Sequence, residues 1–299
     1  MSELTRTSSV PDTRPLNAIT IDVEDWLQST VDSRLPLTDH FYANTHKVLA
    51  ALADRQTRGT FFVLGLAAEQ APGLVREIQA AGHEVQSHGY GHELLHELTP
   101  AQFRADLERS KKLLEDITGR EICGYRAPAF TITRRTLWAL DVLAETGFRY
   151  DSSVFPLRTP RYGIEGAPYY PHLLRTPAGH EIREFPVASY RCAGRRIPIG
   201  GGGYVRLFPY FVLQRGIRQL NAEHRAATIY MHPYEYNPGE FQELDQSISW
   251  KMRLHQGLGR GRFPRRIDRL LAEFRFGPIC DVLASITSWP THEHAAQPV

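Results

Sequence analysis

Ser87-His88-Gly89-Tyr90-Gly91-His92 follows directly on a strand-like run, Glu84 to Ser87, and sets two imidazoles four residues apart. An earlier strand-like run, Ala18 to Val23, leads into Asp22-Val23-Glu24-Asp25, so a carboxylate cluster and a histidine pair both stand where strands stop. If the histidine segment is helical, positions i and i+4 share a face and both rings can reach one ion at about 2.0 to 2.1 Å. Two ring nitrogens and one carboxylate leave coordination positions open for water and substrate, as in a hydrolytic metal centre and unlike a closed structural one.

Working outward, Gly59 to Leu64, Ile122 to Arg126, Glu181 to Val187 and Ala227 to Met231 also read as strands, alternating with amphipathic helices. That rhythm implies an α/β fold with a parallel sheet or barrel. Thr99-Pro100-Ala101-Gln102 carries an N-cap, a first-turn proline and a capping-box glutamine; Phe103, Leu107, Leu114 and Ile117 then line one face until Gly119. Thr133 to Thr146 repeats the pattern and ends at Gly147. The acidic cluster, the His pair, Arg126, Asp151 and His232 all fall at strand ends, the catalytic side of such folds. Phe155 to Pro177 and Gly200 to Gly203 read as surface loops; no Lys-Ser/Thr follows the glycines, so they are not a phosphate loop.

The chain has 299 residues, 42% of them hydrophobic and 10% aromatic, enough for a large core. Thirty-five Lys and Arg balance 33 Asp and Glu, which excludes the basic field expected of a nucleic-acid partner. No run approaches the roughly 18 apolar residues of a membrane span, and residues 1–16 lack a signal-peptide core, so the expectation is a cytoplasmic protein. Cys123, Cys192 and Cys280 are expected to be buried thiols. The expected organisation is a flexible segment at 1–16, a catalytic domain at 17–236, and a C-terminal helical extension at 237–299 with a disordered tail holding His292 and His294.

With these blocks assembled, residues 17–235 resemble the polysaccharide deacetylases of the NodB-homology superfamily, carbohydrate esterase family four. Five blocks carry the resemblance in order: Thr20-Ile21-Asp22-Val23-Glu24-Asp25, Ser87-His88 through His92, Tyr125-Arg126-Ala127-Pro128, Asp151-Ser152-Ser153, and Ile229-Tyr230-Met231-His232. The Asp-Val-Glu-Asp-Trp form of the first block, Gly201-Gly202-Gly203-Tyr204, His232-Pro233-Tyr234-Glu235 and the tail further resemble the branch associated with exopolysaccharide and exosortase gene clusters.

The resemblance implies a distorted, incomplete (β/α) barrel of about seven strands and a metal-dependent hydrolase that removes N-acetyl groups from an N-acetylhexosamine-containing polysaccharide, oligosaccharide or lipid-linked precursor. The metal is expected to be Zn2+, with Co2+, Mn2+, Ni2+ or Fe2+ also suited to His and carboxylate ligands. Asp22 keeps the place of the catalytic base. The family's adjacent aspartates are split here, so the third ligand beside His88 and His92 is Asp25 if the chain has already turned, or Glu24 if strand alternation continues; Asp25 is preferred. His232 is expected to protonate the leaving amine, Asp151 to orient His232, and Arg126 to hold Asp22 ionised. The N–H of Ala129, just after Pro128, is expected to face the oxyanion, and Tyr125 and Tyr204 to border a sugar ring. Val154 stands where the family has Trp.

Each residue also has an ordinary reading. Singly, the histidines fit a core or surface role, Arg126 a structural ion pair, and Asp151-Ser152-Ser153 a turn; together they point to a site. His83 and His96 are expected to stay off the metal. The Arg260 to Arg269 cluster reads as a solvated helix face that could touch an anionic lipid carrier or membrane surface. Two competing functions are an allantoinase-like opening of a cyclic amide and a silent carbohydrate-binding scaffold.

Overall fold

The computed structural model describes residues 14–157, 159, 162–244 and 248–293. Residues 1–13 of the expected N-terminal segment, and His294, lie outside the described residues. The strands, in chain order, are β1 (Leu16–Val23), β2 (Thr60–Val63), β3 (Glu84–Ser87), β4 (Gly124–Tyr125), β5 (Tyr150–Asp151), β6 (His172–Arg175), β7 (Glu181–Glu184), β8 (Ser189–Cys192), β9 (Arg195–Pro198), β10 (Thr228–Met231), β11 (Arg275–Gly277) and β12 (Thr291–Glu293). The helices are α1 (His40–Asp54), α2 (Gly65–Gln70), α3 (Pro72–Ala80), α4 (Pro100–Thr118), α5 (Trp138–Glu145), α6 (Gly202–Leu207), α7 (Tyr210–Ala222), α8 (Glu240–Glu243), α9 (Trp250–Gly257), α10 (Phe263–Glu273) and α11 (Ile279–Ser285).

The large sheet runs β10-β1-β2-β3-β4-β5-β7-β6-β12, with β11 also paired to β1. From β10 to β7 every neighbour is parallel, a seven-strand run in which helices return the chain; β6 then pairs antiparallel to β7. β1 sits centrally and is buried from Asn17 to its end, as a strand covered on both faces must be. One core cluster joins Ile19, Ile21, Phe61 and Val63 of the sheet to Val48, Leu52, Ile78 and Leu107 of the helices. In register, Ile21 faces both Met231 and Phe61, so the ends of β1, β10 and β2 finish side by side. That common rim carries the site.

Helix α4 begins with the reciprocal Thr99–Gln102 capping box and stops at left-handed Gly119, as its sequence predicts. Other elements differ from expectation for local reasons. The segment before α5 is a turn knotted by Thr136 Oγ1, which donates to Thr131 O (2.6 Å), so the helix starts at Trp138. The Ile122 to Arg126 strand shrinks to Gly124–Tyr125, and Phe155 to Pro177 contains β6. Residues 237–293 hold α8 to α11 but also β11, which enters the main sheet beside β1, and β12. His292 therefore lies in a strand, its ring 5.8 Å from that of His172, and not in a disordered tail. Cys123 and Cys192 are half-buried and Cys280 is exposed, so the expectation of buried thiols fails at Cys280.

One buried polar pair makes a test of the packing. Asp151 of β5 stands in register with Glu184 of β7, and both are fully buried. Burial, then the Asp151 charge, pushes the Glu184 carboxyl well above its ordinary 4.5, and burial raises Asp151 as well. Glu184 Oε1 accepts from Val154 N–H (3.1 Å) while Oε2 has no donor, which suits an oxygen that itself carries the pair's proton. Glu184 therefore keeps its proton to higher pH in the fold than in the unfolded chain. The contribution is complete below the unfolded pKa and is lost as pH rises toward the raised folded value. In urea unfolding measured from pH 5 to 9, Glu184→Gln is expected to lose less stability with rising pH than the parent, by about 1 to 3 kcal/mol across the range. Parallel pH profiles would assign Glu184 no buried proton.

Candidate metal centre and active site

The strand alternation of β1 continues past its last paired residue. Arg126 Nη1 donates to Thr20 Oγ1 (2.8 Å) and to Asp22 Oδ1 (2.7 Å), which places Thr20 and Asp22 on one face, and Glu24 extends that face at the rim. Glu24 Oε2 lies 3.3 Å from His88 Nε2 and 3.0 Å from His92 Nε2. These three buried residues are the one group of metal-ligand spacing among the described residues. Ligand atoms about 2.0 to 2.2 Å from a tetrahedral ion are about 3.3 to 3.6 Å apart, so the donor set and its spacing fit a divalent cation with a slight expansion.

Asp25, the preferred ligand from sequence, does something else. Its Oδ1 accepts from the N–H groups of Leu27 (2.9 Å) and Gln28 (3.4 Å), and its Oδ2 accepts from Thr38 N–H (3.1 Å) and the Thr38 hydroxyl. The chain turns at Asp25, and this carboxylate closes the turn. Glu24 takes the place by the histidines.

His88 and His92 meet through a loop, not the expected helical face. Gly89 (φ 79°) and His92 (φ 64°) are left-handed, and the loop is pinned by Gly65 N–H donating to Gly89 O (2.9 Å) and by Asp106, whose two oxygens both accept from Tyr90 N–H at 3.0 Å. A Cβ on Gly89 would meet Asp106 Oδ2 at 3.1 Å, so glycine serves both the backbone angle and the carboxylate's approach. His88 Nδ1–H donates to Arg126 O (2.8 Å), which fixes the ring with Nε2 aimed at Glu24.

Arg126 is fully buried and bonded through all three nitrogens: Nε donates to Ser152 O (3.1 Å), Nη2 to Ser152 Oγ (2.7 Å), and the guanidinium lies 4.3 Å from the centre of the Phe62 ring. It holds Asp22 in one orientation inside a buried, hydrogen-bonded ion pair.

On the other side of Glu24, His232 Nε2 is 3.4 Å from Glu24 Oε1, and its ring stacks on Tyr234 at 4.7 Å. Burial disfavours the imidazolium, but Glu24, Glu235 and Asp22 together outweigh it and raise the pKa. The carboxylate behind this histidine is Glu235, not Asp151. His232 Nδ1 lies 3.7 Å from Glu235 Oε2, the same oxygen accepts from His232 N–H (3.2 Å), and Arg206 Nε sits 3.0 Å from Oε1. Gly202 makes this possible, since a Cβ there would fall 1.8 Å from Glu235 Oε2; the glycines expected as a loose loop start α6 instead. Asp151 is occupied by Ser153, whose N–H and hydroxyl both donate to it, and by Glu184.

Tyr125, expected beside a sugar, is buried against Phe103 (5.6 Å) and Phe148 (5.9 Å) and cannot reach substrate. Tyr204 is half-buried in a cluster with Phe130 and Phe155. Pro128 is buried, whereas Ala129 is exposed at the head of a left-handed turn. An open groove of about 1590 Å³ begins at His92 and Ala129 and continues past Thr131, Tyr162 and Arg34. His96 lines it without joining the ligand group, and His83 accepts from Gly59 N–H (3.1 Å), its pKa lowered by burial to about 4. Sequence reasoning assigned no role to Glu235, although its place three residues after a strand-end histidine was the available signal; Asp106 left none.

Residues 28–150 match the family model described as polysaccharide deacetylase, and residues 152–284 match one described as a domain of unknown function, DUF3473. A stretch of 140 residues is 31% identical to the peptidoglycan deacetylase-like protein FGM2 of Gibberella zeae, covering 44% of this chain and 40% of that protein. Another of 95 residues is 36% identical to the peptidoglycan deacetylase of Helicobacter pylori, covering 32% of this chain and 31% of that one. The chain thus spans less than half the length of these curated relatives. A crystal structure of a Mycobacterium smegmatis protein assigned to the polysaccharide deacetylases superposes with a TM-score of 0.63 over 96% of both chains at 22% identity, a likeness of fold.

Proposed function

We propose, from the match of residues 28–150 to the family model described as polysaccharide deacetylase, that the chain is a metal-dependent hydrolase that removes N-acetyl groups from N-acetylhexosamine units of a polysaccharide, oligosaccharide or lipid-linked precursor. The observation that carries this reading is the placement of the Glu24–His88–His92 group between an oriented carboxylate, Asp22, and a carboxylate-backed imidazole, His232. The names of the relatives, deacetylases of peptidoglycan, supply the substrate class.

Glu24, His88 and His92 would hold a divalent cation, zinc by first choice, which would supply Lewis acidity to an amide carbonyl and acidify water. Asp22, kept in place by Arg126, accepts the proton of the attacking water. His232, backed by Glu235, delivers a proton to the departing sugar nitrogen, a poor leaving group as an anion. The exposed Ala129 backbone borders the groove next to His92, where the acetyl oxygen turns as the carbon becomes tetrahedral.

The test is acetate release from a panel of N-acetylated oligosaccharides on protein whose metal has been assayed. One acetate per free amine is expected, abolished by chelator and restored by zinc. Ring opening of a cyclic amide without acetate would replace the reading with an allantoinase-like activity, and sugar binding without acetate release from metal-loaded protein would replace it with a binding scaffold.

A further inference from the structure

Helix α9 wears its apolar residues on the outside. Trp250 is 69% exposed, Leu254 60% and Leu258, at the helix end, 56%, an i, i+4, i+8 stripe turned to solvent. Met252, on the opposite side of the helix, is the residue that packs inward, against the cluster of Trp26, Leu27, Tyr234 and Phe241. At about 100° per residue, Lys251 borders the stripe on one flank and Arg253 on the other. Lys251 extends toward the Trp250 ring (5.9 Å), Arg253 donates to Ile248 O (3.1 Å), and neither meets a carboxylate among the described residues. Of the seven Lys and Arg from Trp250 to Arg269, Arg260 is buried against Glu240 and Arg269 pairs with Glu273, while Lys251, Arg253, Arg262 and Arg265 are exposed. Arg206 Nη1 donates to Gln256 O, tying α6 to the end of α9, and its neighbour Leu207 is 49% exposed.

We propose that this outer face of α9 docks on the surface of an anionic lipid bilayer. A Trp and Leu stripe bordered on both sides by cations is the pattern of a helix lying in the membrane interface, where apolar side chains enter the acyl boundary and Lys and Arg meet lipid phosphates. A second copy of the chain is the poorer occupant, because a two-fold contact through this face would set the same cations against each other. No helix of the described residues is long and apolar enough to cross a membrane. The inner face of α9 rests on Trp26 and Leu27, just after Glu24, and on Tyr234, which stacks on His232, so docking brings the strand-end rim to the lipid surface.

The full chain is tested by flotation with vesicles of phosphatidylcholine alone and with about one lipid in three replaced by phosphatidylglycerol. Binding is expected to the anionic vesicles and to weaken with salt. The double variant W250S/L254S, altered only at exposed positions, is expected to bind at least about tenfold less, and K251E/R253E to lose the preference for anionic lipid. Both should retain the parent's circular dichroism and its hydrolysis of a soluble oligosaccharide. Wild-type protein that fails to float with anionic vesicles, or W250S/L254S that floats as well as the parent, overturns the proposal. So does a dimer in analytical ultracentrifugation that W250S/L254S dissociates without any vesicle binding. Flotation is read without turnover, so a failure of the deacetylase reading leaves this result independent.

Discussion

Glu24→Ala is expected to strip the metal centre, while Asp25→Ala is expected to leave it filled. Glu24 supplies the carboxylate oxygen 3.0 and 3.3 Å from the two histidine nitrogens, and without it the remaining pair is a weak two-ligand site. Its loss should exceed the roughly 10- to 100-fold fall in metal affinity that changes outside the ligand shell produce. Turnover should fall on the order of a thousandfold or more, because the Lewis acidity at stake is worth several kcal/mol of barrier. Asp25 instead closes the turn through Leu27, Gln28 and Thr38. Its replacement should lower stability by about 1 to 3 kcal/mol through orphaned N–H groups, with metal still stoichiometric. Metal content measured by mass spectrometry beside a urea unfolding curve separates the two variants. The reverse pattern, metal lost with Asp25 and kept with Glu24, would return the ligand role to Asp25.

Asp22→Asn should do the opposite of Glu24→Ala: keep the ion and lose the reaction. The amide oxygen can still accept from Arg126, so the buried guanidinium keeps a partner, whereas Asp22→Ala would strand it at a cost of about 3 to 5 kcal/mol. What the amide cannot do is take a proton. The expected fall in kcat is about 10²- to 10⁴-fold with KM and metal content close to the parent's. Equal loss in the pre-assayed apoprotein background, or turnover at the parent rate, would show that another group receives the proton. The comparison is clean because Asp22 acts here as a carboxylate held outside the ligand group, and the two variants therefore split metal binding from proton transfer.

Much of the fold was legible because β1, β2 and β10 are buried, largely apolar runs, and α4 is delimited by Thr99 and Gly119. The rest was not, for physical reasons. β4 and β5 contribute two residues each, too few for any period, and β6, β8 and β9 are charged or half-exposed strands whose pairing depends on distant partners. β11 reads as part of a helical tail until its register with β1 is seen.

The site divided in the same way. His88, His92, Asp22, Arg126 and His232 stand out because each is an ionisable group at the end of a buried run. The choice between Glu24 and Asp25 could not be read, since it turns on whether the chain stays extended for one residue beyond Val23. The Glu24 carboxylate reaches the two histidines, and that of the next residue, Asp25, closes the turn that follows. Asp151 was named for His232 because the family resemblance implies a second carboxylate behind the imidazole, but Glu235 is three residues from His232 and reaches it through local geometry, in the space that Gly202 leaves open.

The most direct measurement is a crystal structure of the zinc-loaded protein with data collected on both sides of the zinc absorption edge, so that anomalous scattering locates the ion. A single peak is predicted about 2.0 to 2.2 Å from a Glu24 carboxylate oxygen and the Nε2 atoms of His88 and His92, with Asp22 outside bonding distance and Asp25 still bonded to Thr38. A peak coordinated by Asp25 or Asp22, or zinc found only away from the two histidines, would contradict it.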